Sequence, residues 1–295
     1  MAWAEWQTTG QARIGAVRVM SLERTAALDR ASRDATQLLL DATLRAVGRG
    51  DLSADQVQSA RTAAFDSAER YRMSERDLAA ARFDLTKLLG LVPDTPLRLR
   101  PSVLPEAPLD AAQLFSVAQA RRTDLQALGA GYQSQEAVVH KAVLDQFPKL
   151  DLTINASRDT TGNKLLGPAV GFVLPLWNRN RGGIAVEKAT RDALKIEYNV
   201  RVFDARADIA AAVDGIAVAR RQRQDIVTGL PALERFVEAT SRAASKGDLS
   251  PAIAATAAQA WRDKQIQLMQ SERDIQEQWI ALELLTGTPL EGLSR

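Results

Sequence analysis

Apolar residues recur at helical spacing over most of this chain. Long stretches interleave alanine, leucine and valine with charged residues and carry few prolines, a pattern typical of helices that bury one face. The pattern predicts six helices, over about 9–47, 54–89, 110–120, 123–146, 180–246 and 251–286. Thr123 and Asp124 are predicted to cap the fourth helix. Pro231 lies inside the fifth helix, where we expect a local kink or break.

The period changes from helical to alternating after Pro148, where apolar and polar residues take turns along 149–157. One face of this predicted strand carries Leu150, Leu152, Ile154 and Ala156, and the other carries Asp151, Thr153, Asn155 and Ser157. A polar loop around 160–163 leads to a second predicted strand over 170–177, whose apolar face carries Val170, Phe172, Leu174 and Leu176. The segment 149–177 is therefore either a transmembrane β-hairpin or a soluble hairpin that helices cover on one side.

The chain repeats itself at a constant offset of 197 residues. Gly50–Ser53 recurs as Gly247–Ser250, and Ser74–Asp77 recurs as Ser271–Asp274. The second copy also carries apolar residues seven apart, at Trp261, Leu268, Ile275 and Leu282, which predicts coiled-coil-like packing. We therefore expect a first repeat over 1–90, a proline-rich surface linker over 91–109, and a second repeat over 110–295.

Composition narrows the class of function. Lys and Arg together exceed Asp and Glu by only two (38 against 36), which argues against a nucleic-acid partner. The chain has no cysteine and one histidine, His140, so neither a thiolate nor a multi-histidine metal site is expected. No catalytic constellation or phosphate-binding glycine loop appears, so we expect no enzymatic activity and no cofactor. Neither a signal peptide nor a long apolar helix is evident in the sequence.

Three short motifs, in order along the chain, resemble the TolC-like outer-membrane efflux family. Arg122–Leu125 stands where the family has Arg-Pro-Asp-Leu, and Gln146–Leu150 brings a proline at the entry to the first strand. Leu174–Gly182 is similar to the family's pattern after the second strand, and most similar to the CzcC-like heavy-metal branch. The resemblance implies a mainly α fold, in which long antiparallel coiled coils form an α-barrel and a β-hairpin adds strands to an outer-membrane β-barrel.

The family resemblance also assigns roles to residues. The membrane-facing residues would be Leu150, Leu152, Ile154, Val170, Phe172, Leu174 and Leu176. The lumen-facing residues would be Asp151, Thr153, Asn155 and Ser157. The two helical tips that contact a periplasmic adaptor protein would be Gly50, Asp51, Leu52 and Ser53, and Gly247, Asp248, Leu249 and Ser250.

The function that the resemblance implies is an outer-membrane channel in a tripartite efflux system of a Gram-negative bacterium. A homotrimer would work with the adaptor and an inner-membrane RND-type pump, and would export small solutes, including heavy-metal cations. The first repeat lacks an ascending helix and a hairpin, so we expect the chain to be truncated at its N-terminus, together with its signal peptide. A different class of function remains open, a non-transporting coiled-coil scaffold with a soluble hairpin.

Overall fold

The computed structural model describes residues 2–52, 54–93, 95–101, 104–106, 108–158, 160–173 and 178–290. The elements in chain order are α1 (Ala2–Gly48), α2 (Ala54–Leu88), α3 (Ala111–Arg121), α4 (Thr123–Leu144), β1 (Lys149–Arg158), β2 (Lys164–Val173), α5 (Arg181–Ser245) and α6 (Pro251–Thr286). The predicted fold class, mainly α with one β-hairpin, is confirmed.

The chain divides into two compact units. The first unit comprises Met1–Ala118 and Ala207–Arg295, and the second comprises Gln119–Arg206. The long helix α5 therefore contributes to both.

The first unit contains two helical hairpins with equivalent cores. In the α1–α2 hairpin, Val19 and Leu85 are buried together, and in the α5–α6 hairpin Ile216 and Leu282 are buried in a cluster that also includes Trp279. Val19 and Ile216 are 197 residues apart, as are Leu85 and Leu282. The repeat seen in the sequence is therefore a repeat of side-chain packing.

Helices α1 and α6 join the two helical hairpins, and their contact is tight at the start of α1. A Cβ atom added at Gly10 would lie 2.6 Å from Cγ of Leu284, so this glycine allows the close approach of the two helices. Arg13 donates to the carboxylate of Glu283, which is buried and also accepts hydrogen bonds from Nε1 of Trp279 and the backbone N–H of Leu290. Such a buried carboxylate is tolerated because its oxygens are paired.

The described residues of the proline-rich linker form no helix or strand, and several of them pack against the helical hairpins. Leu97 and Leu99 pack on the core of the α1–α2 hairpin, whereas Leu104 and Leu109 pack on the core of the α5–α6 hairpin. Arg220 of α5 also donates to the backbone carbonyl of Pro105 at 2.6 Å. Apolar burial and this hydrogen bond hold the linker against the helices, whereas its proline content alone predicted a segment along the surface.

The second unit holds α4, the β-hairpin and the first part of α5. Gln135 of α4 donates to the carboxylate of Glu187 on α5 at 2.6 Å. At the start of α5, the side-chain amide of Asn180 donates to the backbone carbonyl of Ala142 at 3.0 Å. These bonds position the two helices that lead into and out of the hairpin.

Three local predictions need correction. The second strand begins at Lys164 rather than Val170, because Gly167 and Pro168 are tolerated in a two-stranded sheet, where every strand is an edge. The fourth helix has Arg122 at its N-cap without a side-chain cap, so Thr123 is already its first helical residue. Helix α5 continues through Pro231, so the predicted break is wrong and the kink stays a prediction, because the loss of one backbone hydrogen bond does not end a helix of 65 residues.

Candidate functional site

Both predicted tips are helix C-termini of the same construction. In the first tip the backbone N–H of Gly50 donates to Val47 at 3.0 Å and that of Asp51 donates to Ala46 at 2.9 Å. In the second tip the corresponding bonds, from Gly247 to Ala244 and from Asp248 to Ala243, measure 3.1 and 3.0 Å. This pair of bonds is the Schellman motif, which requires a left-handed residue at the turn.

The turn glycines meet that requirement, since φ is +81° at Gly50 and +84° at Gly247. A Cβ atom at either position would meet open space, so backbone conformation rather than crowding selects glycine there. At the start of α6, Ser250 is the N-cap and accepts a hydrogen bond from the N–H of Ala252, and Pro251 occupies the first helical position. Ser53, the predicted equivalent, lies outside the described residues.

The tips expose glycine backbone and carboxylates. Gly50, Asp51, Gly247 and Asp248 are all exposed, and the leucine that follows each aspartate is half-buried. In the first tip the guanidinium of Arg49 pairs with Asp51 at 2.8 Å. Each tip therefore exposes small and polar residues, so the backbone of another helix can approach it closely.

The β-hairpin brings the predicted apolar residues of its two strands together. In the antiparallel register, Leu150 lies opposite Phe172, Leu152 opposite Val170, and Ile154 opposite Pro168. Directly opposite residues share one face of a sheet. All described members of this face are exposed, including Ile154 at 74% and Phe172 at 64%. Leu174 and Leu176, which were predicted to extend the apolar face, lie outside the described residues.

On the opposite face of the hairpin, polar residues of β1 lie opposite glycine and alanine in the middle of β2. Asp151 lies opposite Gly171, Thr153 opposite Ala169, and Asn155 opposite Gly167. Ser157 lies opposite Leu165 at the end of this row. A sheet with one apolar and one polar face is suited to separate two different environments.

Leu166 is an apolar-face residue that the sequence reasoning missed. It pairs with Ala156 and is 74% exposed on the same face as Ile154. The alternation Leu166, Pro168, Val170, Phe172 could have revealed it, but the proline made the early part of the strand appear to be loop.

Two of the sequence motifs, Arg122–Leu125 before the hairpin and the described part of Leu174–Gly182 after it, contain residues with specific structural roles. At Arg122–Leu125, the guanidinium of Arg122 makes a two-pronged contact with Asp124, at 3.0 and 2.6 Å. Burial alone would raise the pKa of Asp124, but the hydrogen bonds and charge of Arg122 hold that pKa below its ordinary value. This ion pair fixes the junction between α3 and α4.

The motif after the hairpin is a strained turn. Arg179 and Asn180 both have positive φ, 43° and 51°, which is uncommon for residues other than glycine and is tolerated best by asparagine. Gly183 is needed beside this turn, because an added Cβ would lie 3.0 Å from Cγ of Asn180. The turn directs the chain from the hairpin into α5.

The described part of the chain offers no cluster of three or more His, Cys, Asp or Glu side chains placed to hold a metal ion. Across the same residues, no helix combines the length and apolar character needed to cross a membrane.

A family model described as "Outer membrane efflux protein" matches residues 114–288, more than half of the chain. The chain belongs to this family. The match covers α4, the hairpin, α5 and all of α6, and therefore includes the second tip and both hairpin faces. A comparison with curated proteins found no match for this outer membrane efflux protein.

Solved structures of outer membrane channels share its fold. The CmeC outer membrane channel of Campylobacter jejuni has a TM-score of 0.81 at 14% identity, and the match covers 97% of this chain and 63% of that chain. VceC of Vibrio cholerae has a TM-score of 0.84 at 14% identity, with 97% and 71% covered. The MtrE channel of Neisseria gonorrhoeae, in its open state, has a TM-score of 0.79 at 17% identity, with 98% and 68% covered. This efflux protein thus spans about two thirds of the length of the channels that it matches.

Proposed function

We propose that this protein is the outer-membrane channel subunit of a tripartite efflux system and exports small solutes from the periplasm to the exterior. The observation that carries the proposal is the two-faced β-hairpin, whose register aligns the apolar residues of both strands on one exposed face. Membership of the outer membrane efflux protein family supports it. The apolar face would contact lipid, and Asp151, Thr153, Asn155 and Ser157 would face a water-filled lumen.

The long helices would form the periplasmic part of the conduit, in a homotrimer. The helical tips at Gly50–Ser53 and Gly247–Ser250 would dock on a periplasmic adaptor, which connects the channel to an inner-membrane RND-type pump. The exposed glycine backbone at both turns supports this assignment, because it allows close packing against another helical hairpin. The protein itself would perform no chemistry, and its pump would supply the energy.

We propose that the exported small solutes include heavy-metal cations. The support is the resemblance of Leu174–Gly182 to the CzcC-like branch, in which the described residues Asn178–Gly182 build the strained turn before α5. In such a system, selectivity for the cation would reside mainly in the pump.

The channel function is tested by measuring conductance in lipid bilayers and the solubility of the protein without detergent. The full chain, purified in detergent, is added to planar lipid bilayers and to detergent-free buffer. We expect stepwise conductance in the bilayer and aggregation without detergent. A detergent-free soluble monomer that produces no conductance would overturn the channel function and favour the coiled-coil scaffold.

The cargo is tested separately. The gene is deleted alone or together with the gene of an inner-membrane RND-type pump, and cellular retention of nickel, cobalt, zinc, cadmium and copper is measured. Retention of at least one metal should rise in both strains if heavy metals are exported. Unchanged metal retention with increased retention of organic dyes would contradict the metal assignment while leaving the channel function intact.

A further inference from the structure

Two basic residues end the apolar face of the β-hairpin. Arg158 is the last residue of β1 and lies directly opposite Lys164, the first residue of β2. Because side chains alternate along a strand, Arg158 lies on the same face as Ile154, and Lys164 lies on the same face as Leu166. Both basic residues are exposed. The apolar face therefore changes to positive charge at the loop end of the hairpin.

Like charges that lie directly opposite each other in a sheet are unfavourable. The Cα atoms of such a pair are about 4.5–5.5 Å apart, so the two side chains can reach the same small volume. Among the residues that the structure describes, no carboxylate forms an ion pair with Arg158 or Lys164. The segment 158–164 holds these two basic residues and one acidic residue, Asp159, so it is net positive. An anion bound between the two basic side chains would relieve their repulsion.

The other end of the apolar face has no such pair of charges. There, Leu150 lies opposite Phe172. The remaining basic residue of the two strands, Lys149, lies on the polar face and pairs with Asp145 at 2.8 Å. The positive charge of the apolar face is therefore confined to its loop end.

The length of the strands places this pair at the edge of a membrane, provided that the hairpin crosses one as the proposed function requires. Strand β1 has 10 residues, and a tilted strand of about 9–11 residues spans the hydrocarbon of a bilayer. Arg158 and Lys164 end that span, and their long side chains can extend to the level of the lipid headgroups. Helices α4 and α5 adjoin the other end of the hairpin. With these helices in the periplasm, the loop end reaches the outer leaflet.

We propose that Arg158 and Lys164 together bind a phosphate group of an outer-leaflet lipid, whose acyl chains lie along the apolar face. The lipid that fits is lipid A, because its headgroup carries phosphate monoesters. A guanidinium has five N–H donors and an ammonium has three, and their charge-assisted hydrogen bonds to phosphate are strong. Nε of Arg158 donates to the backbone carbonyl of Gly162 at 3.3 Å, which holds this guanidinium at the loop end. The inference rests on the membrane location in the proposed function and adds the class of lipid that the hairpin recognises.

Lipid binding by the full chain in detergent tests this site. The protein is immobilised in non-ionic detergent, lipid A is added in increasing amounts, and the bound lipid is quantified by mass spectrometry. We expect saturable binding that is about fivefold weaker in Arg158→Gln or Lys164→Gln and about thirtyfold weaker in the double variant, because each cation contributes separately. Lipid A without its phosphates should bind the natural protein as weakly as lipid A binds the double variant.

Two further variants separate this pair from net charge and from misfolding. Lys195→Gln combined with Arg201→Gln removes the same two kinds of charge from exposed positions on α5 and should leave binding unchanged. Arg158→Lys combined with Lys164→Arg keeps both charges in place and should bind as the natural protein does. Equal losses in the two glutamine double variants, or equal affinity for lipid A with and without phosphates, would overturn the site.

Competition distinguishes a lipid headgroup from a free anion. Inorganic phosphate has no acyl chains to pack on the apolar face, so it should displace lipid A only at a concentration at least about a hundredfold higher. Displacement at equal concentrations would mean that the two residues bind a free anion, and it would reject the lipid assignment.

Conductance in planar bilayers that contain no lipid A separates this site from the proposed function. A protein that conducts there but does not distinguish the two forms of lipid A would retain the channel function and lose the lipid site. A protein that binds lipid A through Arg158 and Lys164 but does not conduct would retain the lipid site and lose the channel function.

Discussion

At the scale of single residues, Asp29 is a carboxyl group whose charged form the fold penalises. It lies buried on α1, and burial raises its pKa above the ordinary value for aspartate. A hydrogen bond from Ser74 and the charge of Arg70, both on α2, partly offset that rise, and the carboxylate of Asp263 on α6 adds to it. Asp29 is therefore stabilised as a neutral acid more than it would be in the unfolded chain.

The sign of the pH dependence follows from that direction. Because the folded state holds this proton more tightly, Asp29 favours folding fully below its unfolded pKa and loses that contribution as pH rises through the folded pKa. Asp29→Asn, which mimics the neutral acid, should raise the free energy of unfolding at pH 7 and change it little at pH 3. Urea denaturation across this range measures the difference. The exposed Asp34→Asn is the control, and an equal gain in both variants would contradict the role of burial.

At the scale of secondary-structure elements, we expect Pro231 to lower the free energy of unfolding, because it lies inside α5. It removes one backbone hydrogen bond from α5, although the helix continues on both sides. Pro231→Ala should raise the free energy of unfolding by about 1–2 kcal/mol, since the restored bond outweighs the added freedom of the unfolded chain. Pro251→Ala is the matched control, because Pro251 occupies the first turn of α6 and interrupts no bond there. Circular dichroism in urea compares the two variants, and equal effects would show that helix position is irrelevant.

The hairpin faces provide a prediction that rests on the proposed membrane location. Ile154→Arg places a charge on the apolar face and should cost about 2–4 kcal/mol in folding into lipid vesicles, measured by urea titration. Thr153→Arg places the same charge on the opposite face and should cost less than about 1 kcal/mol. The two neighbours lie on opposite sides of the sheet and receive the same charge. Equal costs would mean that the vesicle lipid does not distinguish the faces.

Most elements could be predicted because their signals are local. The period of apolar residues located α5 and α6 closely, and alternation identified the apolar residues of β1 without any knowledge of its partner strand. The start of β2 could not be found this way, because Pro168 is acceptable only once the sheet is known to have two strands. The cap of α4 was missed because Arg122 is held by an ion pair with Asp124 rather than by a cap bond.

At the scale of the whole molecule, the same repeat predicted the tips but not the contact between repeats. The matching bonds at Gly50 and Gly247 follow from identical residues in both copies. The contact of α1 with α6 depends instead on Gly10 and Leu284, whose repeat equivalents are Ala207 and Lys87, so comparison of the copies gave no sign of it.

Gly10 therefore provides the sharpest test of how the two repeats are joined. A valine there would overlap the side chain of Leu284, since even a Cβ atom would approach its Cγ to 2.6 Å. Gly10→Val should lower the free energy of unfolding by about 2–3 kcal/mol, as overpacking of a close contact does. Leu284→Ala removes the obstructing atoms, so the double variant should recover at least about 1 kcal/mol relative to the sum of the single effects.

The matched control for this cycle is Gly131→Val on α4, because a Cβ atom at Gly131 meets nothing within 4 Å. It has the same loss of glycine and gain of a branched side chain, but no neighbour to displace. Its effect should be small and should be unchanged by Leu284→Ala, because the two residues belong to different units. If Gly10→Val and Leu284→Ala were simply additive, contact with Leu284 would not explain the glycine, and the close approach of α1 and α6 would not be what joins the repeats.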